Sequence, residues 1–428
     1  MDRYLTDQPA AVHASFDVSQ FDDLDLIGTI ATIKTSGKSV MWAIGTGGSF
    51  EHCGPIVQGG TLYVGNCDHK FYALSLAGEK QWECATGAPI MCSAYIAGSR
   101  LYVGSMDKTL YCLTLDGKKD WKFSAGDSIG GRVAGAEGRI FFGCKDGCVY
   151  CLSTEGKLIW KFRTTAPISD DLLYHDGHLY VMPEEQNFYC LDALTGKVRW
   201  RFSAGGPFVF HRPVVLGNRI FVGATDNNFY CLDRASGKLA WKFPVRNHPR
   251  SAATDGERLY VLCRDQNIYA LSLAGKLAWR FQGESIWILQ PAIADGVIYA
   301  GNADGNLYAI SCEGRLLWKY RTGGPVVATP VVLDGKVYFG SNDCTFYCVD
   351  VSGKLQWTFR SSLAYPSPIQ ADQLGPQQAL EVVATMGEMP REEHGRYAVR
   401  TLGDGGSESV YTFKSEYTTK SLYTSKKR

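Results

Sequence analysis

The chain has 428 residues, 45% of them apolar and 20% charged, with 47 glycines and a formal charge of +1 from 44 basic and 43 acidic side chains. A near-neutral chain has no global field to draw it onto nucleic acid or an anionic membrane surface, so neither is expected as a partner. So much glycine in a mixed composition suggests many turns in a folded protein.

Residues 1–26, MDRYLTDQPAAVHASFDVSQFDDLDL, are polar and aperiodic and read as an N-terminal extension. They hold no basic start followed by an apolar run, and no later stretch approaches the ~18 apolar residues of a membrane span, so a cytoplasmic protein is expected. In a long chain read this way, 14 cysteines are expected to be reduced thiols.

From residue 27 the chain repeats itself. Tryptophans stand at 42, 82, 121, 160, 200, 241, 279, 318 and 357, at spacings of 40, 39, 39, 40, 41, 38, 39 and 39. A turn glycine precedes each of the last eight, at Gly78, Gly117, Gly156, Gly196, Gly237, Gly275, Gly314 and Gly353, and a basic residue follows all but the first. Before that turn comes an alternating run such as LYCLTL at 110–115 or LYAISC at 307–312, the period of a half-buried strand. Earlier still, YVG or FVG leads three residues on to Asp68, Asp107, Asp146, Asp226, Asp265, Asp304 or Asp343, while the fourth copy replaces the Gly by Met182 and the Asp by Glu185. Each copy thus predicts four short strands joined by tight turns, none able to bury both faces alone. A ring of four-stranded sheets packed face to face solves that problem, which makes the predicted fold an all-β propeller.

These phrases, for example IYAGNADGNLYAISCEGRLLWKYRTGGPVVATPVV, resemble the PQQ-type (quinoprotein-like) propeller repeat over about residues 27–370. The repeat occurs in quinoprotein dehydrogenases, outer-membrane assembly lipoproteins, kinase sensor regions and the tails of some adenylating enzymes, so the resemblance implies a fold and leaves function open. It implies eight blades by the family norm, whereas counting strands gives nine. The segment at 27–42 is expected to pair with AYPSPIQ and the strand at 379–385, so that N- and C-terminal strands clasp the ring within a propeller spanning 27–402. Residues 403–428 read as a polar, basic-ended tail, mobile or folding on a partner.

Most apparent sites dissolve into the repeat. Cys112, Cys151, Cys190, Cys231 and Cys348 share one slot with Ala73, Ala270 and Ala309, which marks a small buried filler. Cys144 and Cys148 lie in one hairpin without paired zinc-ligand spacing, and the group Cys67, Asp68, His69, His52 and Cys53 includes a repeated turn Asp, so metal is the weaker reading in both places. TSGKS at 35–39 has Thr32 where a phosphate loop needs glycine. No adjacent cysteines or blade insertions of the quinoprotein dehydrogenases are present, so no cofactor is expected, PQQ included.

The copies disagree most in the inner strand, where one slot reads Gly54, Ser93, Arg132, Asp171, Arg212, Arg250, Gln290, Thr329 and Ser367. Inner strands line a propeller's channel, so Arg132, Arg212 and Arg250 around Asp171, with Gln290, His211 and Trp287 and with Asp170, His248, Phe210 and Ile288 alongside, form a candidate clasp for a carboxylate or phosphate. The competing and leading reading is a solvated channel in which Asp171 pairs with its arginine neighbours. No catalytic motif is recognised. The expected function is a non-catalytic scaffold binding another protein on a propeller face, the alternative an anion-binding protein or secondary-metabolism enzyme working at the channel mouth.

Overall fold

The computed structural model describes residues 49–361, apart from 51 and 209–211, together with strands Ile30–Thr35, Lys38–Ala43, Arg396–Arg400 and Val410–Lys414. By compactness the chain divides into two units. One holds these four outlying strands, which form two antiparallel hairpins; the other holds eight consecutive four-stranded antiparallel sheets. Blades one to eight run Ile56–Ala85, Tyr95–Ser124, Ala134–Arg163, Leu173–Ser203, Val214–Pro244, Pro249–Gln282, Ala292–Arg321 and Val331–Arg360. They make an eight-bladed β-propeller.

The alternating sequence pattern sorts the strands by depth. In each blade the second and third strands are buried on both faces, as in Phe71-Tyr72-Ala73-Leu74, because a neighbouring sheet covers each side. The fourth strand alternates between exposed and half-covered positions and ends the sheet. Every interface has its own apolar cluster: Phe71, Ala73 and Ile90 meet Leu101 and Val103 between blades one and two, and Tyr338, Phe346 and Cys348 meet Leu62, Val64 and Tyr72 between blades eight and one.

The repeating tryptophan fastens each blade to the next. Its indole N–H donates to a backbone carbonyl one repeat onward, Trp82 to Leu115 at 2.9 Å and Trp121 to Thr154 at 3.0 Å, and so on to Trp318, which reaches Val351 at 2.9 Å. The ring face of the same indole lies on the next blade's turn glycine. Gly117 has φ +85°, and a Cβ there would sit 2.6 Å from Trp82, so both backbone conformation and contact demand glycine. This explains the paired period seen in the sequence.

The repeated acid is a second staple. Asp107 accepts the Thr109 N–H at 3.0 Å within its own turn, the Tyr111 hydroxyl at 2.6 Å, and the Gly87 N–H of the connection from the preceding blade at 2.7 Å. Glu185 replaces Asp in blade four and keeps the tyrosine bond, to Tyr189 at 2.7 Å. The five repeat-slot cysteines are fully buried, and burial pushes the thiols of Cys112, Cys151 and Cys190 up to about 12 and those of Cys231 and Cys348 up to about 11.

Ring closure differs from the clasp expected of the terminal strands. Blades one and eight are each complete with four consecutive strands, and Trp357 of blade eight donates to Leu76 of blade one at 2.9 Å while its indole rests on Gly78. Direct docking joins the ends because the last blade carries the same tryptophan as the rest. Ile30–Thr35 and Lys38–Ala43, with Trp42, pair only with each other in a two-stranded sheet, so the ninth tryptophan does not add a ninth blade among the described residues. AYPSPIQ and 379–385 lie outside the described residues, as do residues 1–26. Within the segment read as a polar tail, Val410–Lys414 is a strand paired with Arg396–Arg400.

Candidate ligand site on the channel wall

First strands of neighbouring blades touch, blade three with blade four and blade seven with blade eight among them, as expected at the hub of a propeller. Cross-strand register gives these strands a common frame. Ile56, Tyr95, Ala134, Leu173, Val214, Ala253, Ala292 and Val331 each face the equivalent aromatic of the second strand, from Tyr63 to Tyr338. Two residues earlier stand Gly54, Ser93, Arg132, Asp171, Arg212, Ser251, Gln290 and Thr329. The sequence slot is therefore one structural position in seven blades.

Blade six is the exception. Its first strand is extended, Pro249–Thr254, and its pairing slips between Pro249 and Ser251. Such a bulge re-aims a side chain. It gives the slot to Ser251 and places Arg250 one position earlier, 1% exposed, in register with Asp170 of blade four, itself 7% exposed. Trp287 is likewise displaced from the channel set. Its N–H reaches the Cys263 carbonyl at 3.5 Å, as the Ile90 N–H reaches that of Asn66 at 3.2 Å, so it fills the apolar slot between blades. Fully buried there, it packs on Tyr308 at 5.1 Å between ring centroids and donates its indole N–H to Gln266 at 2.9 Å. Ile288 is buried beside it, and His211 and Phe210 lie outside the described residues.

The remaining residues interlock around the ring. The Gly54 N–H donates to Ser93 Oγ at 3.0 Å, and in the same way the Arg132 N–H donates to Asp171 Oδ1 at 2.7 Å. This geometry depends on Gly131, where a Cβ would come within 2.1 Å of the Asp170 carbonyl oxygen. The Arg212 guanidinium donates to Gln290 Oε1 at 2.9 Å, reaching past blade six, while Gln290 Nε2 donates to the Ala252 carbonyl at 2.8 Å. Burial pulls the Arg212 guanidinium below its ordinary value; the Asp171 charge acts upward on it and the Arg132 charge downward. Arg212 thus lies within charge range of both Asp171 and Arg132.

The hairpin thiols belong to the core: Cys144 and Cys148 face each other across their turn and lie in the cluster between blades two and three. Asp68 holds its turn, accepting the Lys70 N–H at 3.1 Å and the Tyr72 hydroxyl at 2.5 Å.

The sequence profile of the family described as "Outer membrane protein assembly factor BamB" matches residues 106–215, 203–313 and 275–384, well over half of the chain. The chain belongs to this family. No curated protein matches it. Among solved structures, BamB from Moraxella catarrhalis is similar over 75% of this chain and 96% of its own, with TM-score 0.57 and 14% identity. The Saccharomyces cerevisiae protein Sqt1 is similar over 71% of this chain and 96% of its own, with TM-score 0.63 and 12% identity. The computationally designed Ika8 protein aligns over 72% and 98%, with TM-score 0.63 and 14% identity. At such identities the structural likeness speaks for the fold, which family membership and the repeat already require.

Proposed function

We propose that the protein is a non-catalytic scaffold that binds another protein. The observation that carries this reading is an apolar band on the outermost strands. Two residues before the docking tryptophan, blades three to eight carry Leu158, Val198, Leu239, Leu277, Leu316 and Leu355, each between 43% and 51% exposed. Blades one and two carry exposed Lys80 and Lys119 there. Ile159 and Leu317, 46% and 51% exposed, widen the band in blades three and seven. Exposed apolar side chains aligned on successive sheet edges, with a polar sector beside them, suit a protein contact with a defined position on the rim.

The family description, one of assembly and not of a reaction, supports the same reading. The sequence has no adjacent cysteines of the quinoprotein type, so the proposal includes no PQQ and no enzymatic step. Thirteen of the 14 cysteines are buried, as suits reduced thiols in a protein core, and the proposal includes a reducing, cytoplasmic location.

A site-specific photo-crosslinker in cells tests the proposal. Placed at Leu277 or Leu316 it is expected to yield one discrete protein adduct, and at Lys80 or Lys119 none. Equal yields in both sectors, or no adduct at either leucine, would refute the rim as the docking surface.

A further inference from the structure

The channel wall is asymmetric in charge. Blades one, two and eight place Gly54, Ser93 and Thr329 at the common position, and Thr329 packs on Gly54, with the Cβ position there 3.2 Å from the Thr329 Cβ. Blades three, four, five and seven place Arg132, Asp171, Arg212 and Gln290. All of the charge at this depth therefore faces one sector.

Its bonding is unlike a self-neutralised cluster. The bond from the Arg132 backbone to Asp171 repeats the neutral one between Gly54 and Ser93, so backbone geometry places this carboxylate. Among the described residues no ion pair joins Asp171 to Arg132 or Arg212, and the Arg132 guanidinium makes no hydrogen bond or ion pair. Among the described residues Arg212 has one neutral acceptor, Gln290 Oε1, held in place because the other end of that amide is tied to Ala252. A guanidinium offers five donors, and one neutral bond leaves most of that fork for another acceptor. Two arginines on one wall, both short of acceptors and one of them partly desolvated, are the setting in which an oxoanion gains bidentate, charge-assisted hydrogen bonds.

We propose that this sector binds a small oxoanion, a carboxylate or a phosphate, between Arg132 and Arg212, with Gln290 orienting the second guanidinium. Asp171 then selects among anions: its free oxygen accepts a bond from a hydroxyl or ammonium on the ligand and repels a second negative charge. The site is independent of the rim, so one protein can carry both a partner and a ligand.

Titration calorimetry of the full chain with inorganic phosphate and with lactate, a monocarboxylate that carries a hydroxyl, at constant ionic strength in chloride, tests this. At least one probe is expected to bind saturably at one site per chain, and whichever binds assigns the ligand to phosphates or carboxylates. Arg132→Ala and Arg212→Ala are each expected to weaken binding about tenfold or more, and Thr329→Ser, in blade eight on the opposite side of the ring from Asp171, to leave it unchanged. Among the described residues Arg132 has no side-chain partner to lose, so its variant reports on binding even where Arg212→Ala impairs folding. Gln290→Glu gives Arg212 an internal carboxylate and is expected to compete with the ligand. Absence of saturable binding of both probes up to about 10 mM, or binding that survives both arginine substitutions, would overturn the proposal.

Discussion

The outer half of each blade and its inner strand follow different rules. Outside, the tryptophan, the turn glycine and the tyrosine-bound acid recur in nearly every copy, and each makes the same contact wherever it occurs. Inside, one structural position holds a glycine, a serine, two arginines, an aspartate, another serine, a glutamine and a threonine. Uniform positions are those every blade needs to dock on its neighbour; varied ones are free of that duty. Variation among copies of one chain therefore points to binding, whereas repetition points to architecture.

Removing a repeated contact should have the largest effect, and the ring closure is its sharpest case. Trp357→Ala breaks the bond to Leu76 and uncovers Gly78, and is expected to destabilise the protein by about 3–5 kcal/mol in denaturant titrations. If terminal strands held the ring instead, Trp357→Ala would cost no more than an exposed substitution.

The inner strand should respond through position more than through stability. Gly131→Ala drives a Cβ into the Asp170 carbonyl, with an expected cost of about 1–3 kcal/mol. Oxoanion binding should fall with it, because Arg132 and Asp171 are set by that approach. Unchanged binding in a destabilised Gly131→Ala protein would separate the channel site from the blade contact.

Two smaller effects probe the turns. Cys344 has φ +67° where blades three and seven use Gly147 and Gly305, so Cys344→Gly is expected to raise stability by about 0.5–1 kcal/mol. It is also the least buried of the cysteines, and should react with a thiol reagent well before Cys112, Cys151, Cys190 and Cys231. The Arg199 guanidinium, with Thr195, holds the Asp192 carboxyl at about 2, below its unfolded value, so its contribution is present above about pH 4 and is lost as pH falls toward 2. Asp192→Asn should flatten that acid limb and, as a largely solvent-screened pair, cost less than about 1 kcal/mol at neutral pH.

The blade pattern was legible because the same sterics recur: Gly117 and its equivalents announce a left-handed turn, and the tryptophan before each turn announces the surface that covers the next one. The inner strand was legible only in part. Counting residues aligned Arg250 with Arg212, because the bulge between Pro249 and Ser251 shifts register without leaving a mark in composition. Trp287 looked like a channel residue because it neighbours Gln290, yet an aromatic in the slot of Ile90 and Ile129 is drawn into the core by the same burial that draws the isoleucines. The bond that places Asp171 could not be foreseen either: opposite charges in neighbouring copies suggest side-chain pairing, whereas the described partner of its carboxylate is the Arg132 backbone N–H. The apolar rim was visible as Leu or Val two residues before six tryptophans, but only exposure separates such residues from core.

Native mass spectrometry of the protein recovered at its own expression level, first intact and then denatured, tests the scaffold most directly. The expected result is a second protein chain released on unfolding, retained by Arg212→Ala and lost when Leu239, Leu277 and Leu316 are changed together to Glu. Recovery of the chain without any bound protein, or a partner held equally by the triple variant, would contradict it.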